Sequence, residues 1–541
     1  MSAHPRDDQR HLRDKWYRHG WYSNRTCLDA FEVGAAKHGD VPLTFVAGDS
    51  VRSPTVREIR DRALALATSL QRLGVRDGNA VAVQLTNRVE CAVAYQAVLL
   101  CGAVLVPIVH IYGMTEVAFI LNQSGAKVLI MPERHGPTVY SERLQELSRI
   151  GSLQHVVMLD AEPGEGYRAW SQLDAPAAQY RRPAVGADDV CLLLYTSGTT
   201  SAPKGVQHSH NTVLAEQKTM PALLAGRPDD VSLVTFPPGH IAGVASMLRP
   251  LLSGARTVFT DGWDPALAVE VVHRFGVTCT AGTPFHLAGI LDLGDTGDKL
   301  ASLREFLVGA APVAEEIGRR AAQAGISTFR SYGATEHPTV TGEHEGEPEW
   351  ARLNTDGKPL PGSVVRIVGM HGEDCPTGVD GEVVVRGPDQ FIGYQDTALN
   401  ANAFTADGWF RTGDLGNLDY QGRLTITDRI KDVIIRGGET ISSGQVEEVL
   451  NAHPAVADGV AVAAPHPRYG DVVAAVVVLK PGRELDLDGL RAHFVASGLA
   501  RQKTPERLAI VDELPRTSLG KVRKAQLRTD HFGAGGATGS V

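Results

Sequence analysis

From Thr55 to about Pro250, helical stretches alternate with short runs of β-branched residues, and that order admits few folds. Thr55–Leu73 has helical periodicity. Ala80–Val83, Lys127–Met131 and His155–Leu159 are short and apolar, as buried strands of a parallel sheet are. A second stretch of this kind runs from Thr257 to about Tyr332. Between Gly357 and Tyr394 the pattern changes to short strands with turns, Ser363–Gly369 (SVVRIVG) and Gly381–Gly387 (GEVVVRG), which predicts a small antiparallel β unit. After the charged, strand-like Leu424–Arg436 come helix signals at Gln445–Ala452 and Leu487–Ser497, with a strong strand at Val472–Leu479.

At 541 residues the chain is too long for one ordinary core, so at least two domains are expected, with a boundary near Asp428–Asp432. The Gly/Ala/Ser-rich tail from Gly533 reads as disordered. A formal net charge of -9 argues against bulk nucleic-acid binding. The six cysteines form no CxxC pair; their spacing suggests neither a disulfide framework nor a zinc site and fits a reducing cytoplasm. The polar N-terminus lacks the apolar core of a secretory signal. One segment, Cys91–Val109, is uncharged over a length that raises a membrane span. Gly102 and Pro107 interrupt it, so a buried helix followed by a buried strand is the better reading and no span is expected.

Four segments carry chemistry. Thr196–Gly205 (TSGTTSAPKG) follows the apolar run Cys191–Tyr195. Its glycines and hydroxyls let backbone N–H groups close on an anion, and Lys204 adds charge: a phosphate cradle by composition, or else a flexible loop. Ser331–Glu336 (SYGATE) gathers an aromatic ring, a hydroxyl and a carboxylate. Tyr332 could stack on a base, Thr335 bond a phosphate and Glu336 hold Mg²⁺; a capped turn is the alternative. Gly408–Asp414 (GWFRTGD) sets Asp414 after a tight turn, where a carboxylate can accept from a ribose diol or face solvent. Pro515–Lys524 (PRTSLGKVRK) sets Lys521 after Gly520, either a mobile loop reaching a site or a solvated basic patch.

Together with Asp428–Asp432 (DRIKD), these segments stand in the order and at the separations seen in the adenylate-forming superfamily, which includes acyl-CoA synthetases, firefly luciferase and the adenylation domains of peptide synthetases. The chain resembles that family from about Leu28 to Arg528. The resemblance implies an α/β fold: a large N-terminal domain (1–430) of two doubly wound α/β subdomains plus a distorted β-barrel, and a small mobile α+β C-terminal domain (431–541). It implies that Thr196, Ser197, Gly198, Thr199, Thr200 and Lys204 orient the ATP phosphates. Gly309, Ala310, Ala311 and Pro312 would lie on the adenine side, with Tyr332, Gly333 and Ala334 beside the base. Thr335 and Glu336 would contact phosphate and Mg²⁺, Asp414 the ribose, and Arg429 ribose and phosphate. Lys431 would be the hinge and Lys521 the catalytic lysine of adenylate formation. Gly437 and Gly438 would line the coenzyme A tunnel, and His240, in Pro237–Gly243 (PPGHIAG), would stand near the acyl carboxylate and the tunnel mouth.

The implied activity is that of an acyl-CoA synthetase using ATP, Mg²⁺ and coenzyme A on a small-molecule carboxylic acid. Two positions depart from the pattern: Ser201 replaces a usual glycine and Gln445 a common glutamate. Ser201 keeps open an enzyme that performs only the thioester step on a supplied acyl-AMP. A carrier protein is the alternative acceptor, and a nucleotide- or acyl-binding protein without turnover is the alternative outside enzymes. Phe236–Pro250 has no carboxylate to pair an α-ammonium, which favours a non-amino acid. Val244 and Met247 suggest an apolar pocket for an aliphatic, alicyclic or aryl acid, with His337 either lining it or structural. A cytoplasmic location is expected, with a homodimer among the assemblies left open.

Overall fold

The uncharged stretch resolves simply. Val89–Leu100 is a helix in which every residue is buried. Gly102, at φ +67°, turns the chain out of it, and Val104–Pro107 follows as a strand. The helix's one carboxylate, Glu90, lies 2.9, 3.3 and 3.0 Å from Arg52, Arg62 and Arg88. Burial alone would raise its pKa, but hydrogen bonds from Arg52 and Arg88 and the Arg88 charge hold it at about 2. No helix among the described residues is long and apolar enough to cross a membrane.

This computed structural model describes residues 10–196, 203–294, 296–309, 315–437, 439–517 and 520–533. Ser197, Gly198, Thr199, Thr200, Ser201, Ala310, Ala311, Pro312, Gly438 and the tail beyond Gly533 therefore lie outside the described residues. Those described fall into two units, one of 10–196, 203–365 and 385–410, the other of 366–384 and 411 onward.

The first unit holds two large sheets. In one, β1 (Val190–Thr196) pairs antiparallel with β2 (Lys204–Ser209), Thr196 opposite Lys204. The sheet runs Gly393–Tyr394, β2, β1, Val104–Pro107, Ala80–Val83, Val128–Pro132, His155–Leu159, Arg168–Ala169, parallel from β1 onward. In the other, β3 (Ser327–Ala334) forms a hairpin with β4 (His337–Gly342). From β3 the sheet continues in parallel through Glu305–Val308, Cys279–Gly282, Val231–Val234, Arg256–Thr260 and Leu43–Ala47. These are the two α/β halves expected from the alternating sequence.

Three helices matter below: α1 (Cys27–His38), α2 (His210–Leu223) and α3 (Ile241–Ser253). A Cβ on Gly34 of α1 would meet the Leu251 carbonyl oxygen of α3 at 2.2 Å, so that crossing requires glycine.

A four-stranded sheet, mostly of second-unit residues, is ordered Val364–Val368, Gly381–Arg386, β5 (Phe410–Leu418), β6 (Leu424–Arg429). This is the small β unit expected after Gly357, and its strand order is open rather than ring-closed among the described residues. A five-stranded sheet is centred on Val456–His466 and Gly470–Leu479. Alternate residues of that pair feed two separate apolar clusters. Ala461, Val473, Ala475 and Val477 join Val446, Leu450 and Phe494, while Val462, Val472, Ala474 and Val476 join Leu527 and Phe532. Helices Ser443–Asn451, Leu487–Ala496 and Lys524–Phe532 supply these partners.

Candidate active site

In the first unit the SYGATE segment forms the end of β3 and the turn into β4. A Cβ on Gly333 would meet the Pro338 carbonyl oxygen at 2.0 Å, so only glycine lets the two strands close. The register slips between Tyr332 and Ala334, a bulge of the kind that re-aims side chains beside sites. The turn is held from behind by three contacts. His208 Nε2 lies 2.8 Å from the Thr335 carbonyl oxygen, the Phe391 N–H donates to the Glu336 carbonyl oxygen at 2.7 Å, and the Tyr394 hydroxyl donates to Glu336 Oε1 at 2.7 Å. Burial lowers His208 to about 4, so it is a neutral ring that donates from Nε2. Burial and the Glu336 charge push the Tyr394 phenol far up, so it remains a donor.

Lys204 Nζ lies 5.2 Å from the Tyr394 ring centroid. One tyrosine therefore links the lysine of the phosphate segment with the carboxylate of SYGATE. Neither Tyr394 nor His208 was singled out in the sequence. The available signal was weak: an aromatic after Gly393, whose φ is +148°, and a second histidine in Gln207–His210.

Three residues considered for the acyl pocket are all buried. Val244 and Met247 are 1% and 0% exposed, within the main core cluster that also holds Leu28 and Phe31. Their apolar character is spent on packing α3. His337 is 0% exposed, its Nε2 2.9 Å from Asp389 Oδ1 and 3.2 Å from Ser363 Oγ, and takes the structural alternative. Burial alone would raise the Asp389 carboxyl, but His337 and hydrogen bonds from the Thr339 hydroxyl and N–H pull it below its ordinary value. Asp389→Ala leaves the Thr339 N–H and hydroxyl without their buried acceptor and should cost about 1–3 kcal/mol in urea unfolding. A loss under about 1 kcal/mol would mean the pair contributes nothing net. His240 is half-buried at the N-cap of α3. The turn before it packs so closely that a Cβ on Gly239 would meet the Val109 nitrogen at 2.5 Å. Gly309 ends the strand Glu305–Val308, its N–H donating to the Gly282 carbonyl oxygen at 2.9 Å.

The second unit gathers the other group. Asp414 on β5 stands opposite Arg429 on β6, Oδ1 to Nε 3.1 Å. Gly413, at φ +73°, accepts from the Ile430 N–H at 2.9 Å and sets the bend before Asp414. Lys521 sits in a turn closed by Gly520 N–H to Thr517 O, 2.8 Å, and Thr517 N–H to Lys521 O, 2.7 Å. Gly520 has φ +80°, the backbone freedom its place before the lysine had suggested. The Lys521 side chain keeps exposed surface, yet the protein around its ammonium desolvates it. That desolvation, then the Arg429 and Lys431 charges, bring it to about 8, with Asp414 acting the other way. Gly437, at φ +59°, donates its N–H to Tyr469 O at 2.8 Å. The structure thus joins Lys204, Glu336 and Tyr394 in one unit and Asp414, Arg429, Lys431 and Lys521 in the other.

Comparison with known proteins finds two family models along the chain. Residues 31–395 match the model of the AMP-binding enzymes, and residues 445–521 match that of the AMP-binding enzyme C-terminal domain. The medium-chain fatty-acid–CoA ligase of Escherichia coli (strain K12) is 33% identical over 489 residues, 88% of this chain and 86% of that protein. A Mycobacterium tuberculosis ligase that joins a methyl-dioxo-octahydroindenyl propanoate to CoA is 35% identical over 490 residues, 88% of this chain and 93% of that one. The ATP-bound structure of MatB from Rhodopseudomonas palustris superposes with a TM-score of 0.84 at 26% identity, covering 94% of this chain and 99% of that chain. With both family models matched in order along the chain, it belongs to the AMP-binding enzymes of the adenylate-forming superfamily.

Proposed function

We propose that this chain is an acyl-CoA synthetase that joins a non-amino, apolar carboxylic acid to coenzyme A at the expense of ATP. The observation that carries adenylation is the placement of Lys521 beside Asp414 and Arg429. A carboxylate attacking ATP brings like charges together, and at an effective dielectric near 20 two unit charges about 4 Å apart cost about 4 kcal/mol. The Lys521 ammonium offsets that as charge develops at the α-phosphorus. The acid oxygen bonds to that phosphorus and pyrophosphate leaves. Asp414 would accept from the ribose hydroxyls, and Arg429, 3.1 Å from it, would hold it in position.

Glu336 and the Thr335 hydroxyl form an oxygen donor set of the kind Mg²⁺ takes together with substrate phosphates. Tyr394, fixing one Glu336 oxygen, orients that carboxylate, so the residues fit the ion. When bound, Mg²⁺ supplies neutralising charge to the phosphates. In the second step the thiol sulfur attacks the acyl carbon, AMP leaves and the thiol proton is released. The reading assigns residues 1–430 to acid and ATP binding and 431–541 to a mobile domain hinged at Lys431. That domain would present Lys521 for the first step and Gly437 and Gly438 for the second. Phe236–Pro250, lacking a carboxylate, supports an acid without an amino group. A cytoplasmic enzyme fits its need for ATP and coenzyme A.

The test is mass spectrometry of reactions with ATP, Mg²⁺ and a panel of aliphatic, alicyclic and aryl acids, with and without coenzyme A, beside reactions given synthetic acyl-AMP. Acyl-CoA, AMP and pyrophosphate from acid plus ATP are expected. Acyl-CoA from supplied acyl-AMP alone would overturn the first step and point to Ser201. Nucleotide binding without product in any arm would overturn the enzyme.

A further inference from the structure

Three chemistry-bearing side chains meet away from the groups assigned to the reaction. Cys27 opens α1, Cys191 lies in β1 and His210 opens α2, and one ligand atom from each lies within 4.8 Å of the others. They are 0%, 1% and 2% exposed. Each is placed by a specific device. A capping box between Thr26 and Asp29 starts α1 at Cys27, so the thiol stands at the positive end of a helix. The β1–β2 register slips between Val190 and Leu192, leaving Cys191 in a bulge that re-aims its side chain. The Cys27 N–H donates to His210 Nδ1 at 3.2 Å, so the nitrogen facing Cys27 is the unprotonated one. Two sulfurs and an imidazole nitrogen therefore converge in a dry core, and a cation bound at Nδ1 would displace the Cys27 N–H from it.

We propose that Cys27, Cys191 and His210 form a closed site for a thiophilic d¹⁰ cation, copper(I) or zinc(II), separate from the Mg²⁺ chemistry of the reaction. Two sulfurs and an imidazole are a soft donor set, which copper(I) and zinc take and Mg²⁺ does not. Atoms no more than 4.8 Å apart have a common centre within about 2.8 Å of each, so contraction by about half an ångström reaches zinc–sulfur bonding distance. Cys191 and His210 lie at the same end of the β1–β2 pair, Val190 standing opposite Ser209. A cation there fastens α1 to the base of the hairpin that carries the TSGTTSAPKG segment, and binding only the folded chain it raises thermal stability.

The test uses full-length protein made without a metal-affinity tag in zinc- or copper-supplemented cultures, then incubated anaerobically with excess of the same ion and desalted. Elemental mass spectrometry should find about one retained equivalent of zinc or copper per chain. X-ray absorption of the loaded sample should show two sulfurs and one nitrogen, and the two arms tell the ions apart. Cys27→Ser and Cys191→Ser should each lower retention at least ~10-fold and abolish the metal-dependent rise in Tm, whereas Cys375→Ser, outside the cluster, should change neither. Folded wild-type protein holding less than about 0.1 equivalent of both ions overturns the site. So does a retained ion with fewer than two sulfur neighbours, a readout that needs no variant to fold.

Discussion

Lys521→Ala lowers acyl-AMP formation at least ~100-fold while leaving thioester formation from supplied acyl-AMP within about twofold. The asymmetry follows from where charge develops. Adenylation brings an acid anion to a phosphate, and the proposed role of the Lys521 ammonium, beside Asp414 and Arg429, is to offset that charge. Displacement of AMP by a thiol builds no such charge at that place. Pyrophosphate exchange measures the first step and acyl-CoA release from synthetic acyl-AMP the second. Equal loss in both would sink the assignment. The pH profile gives an independent check. With its pKa near 8, Lys521 loses its charge as pH rises through that value, so adenylation should fall above about pH 8. Stability should move oppositely. The ordinary value is 10.5, so between about pH 8 and 10.5 the unfolded chain binds more proton there, and this lysine adds stability as pH rises.

Glu336→Gln is expected to cost ~100-fold or more in adenylation and to raise the Mg²⁺ concentration needed for half-maximal rate. The substitution is informative because its amide oxygen can still accept from the Tyr394 hydroxyl, now 2.7 Å from the carboxylate, so the turn keeps its brace and loses only charge. Tyr394→Phe makes the opposite change, keeping the charge and removing the brace, and should cost less, about 10-fold. Initial rates of pyrophosphate exchange across a Mg²⁺ titration separate the two. A Glu336→Gln enzyme with an unchanged Mg²⁺ dependence would remove Glu336 from the metal's ligands.

The architecture was legible where side-chain period and burial agree. Val89–Leu100 and Val104–Pro107 could be read as helix and strand because Gly102 punctuates them. The four motifs were legible because each is contiguous, and Gly333 and Gly520 show why glycine stands there: one admits a strand carbonyl, the other a left-handed turn. What stayed hidden is pairwise. Tyr394 reaches Glu336 across 58 residues and Asp389 reaches His337 across 52, and nothing in either sequence neighbourhood names its partner. Val244 and Met247 are ambiguous for a related reason: an apolar residue reads the same whether it faces a ligand or its own core cluster. Spacing likewise gave no hint of Cys27, Cys191 and His210, because a capping box, a bulge and a helix start bring them together.

The central strand pair of the second unit has a consequence for how that unit finds its structure. Val472–Val477 is VVAAVV, buried throughout and packed into a different cluster on each side. A strand that alternates apolar with polar proofreads its own alignment, because a one-residue slip turns charge inward. Here a slip would exchange valine for alanine or valine for valine, so side-chain pattern alone barely distinguishes the native pairing of Val460 with Val476 from its neighbours. Alignment must be enforced from the ends, by the tight reversal that sets His466 opposite Gly470 and by Arg436 opposite Gly470 on the flanking strand. Refolding of this unit should therefore be more sensitive to insertion or deletion at that reversal than to conservative changes in the strand itself.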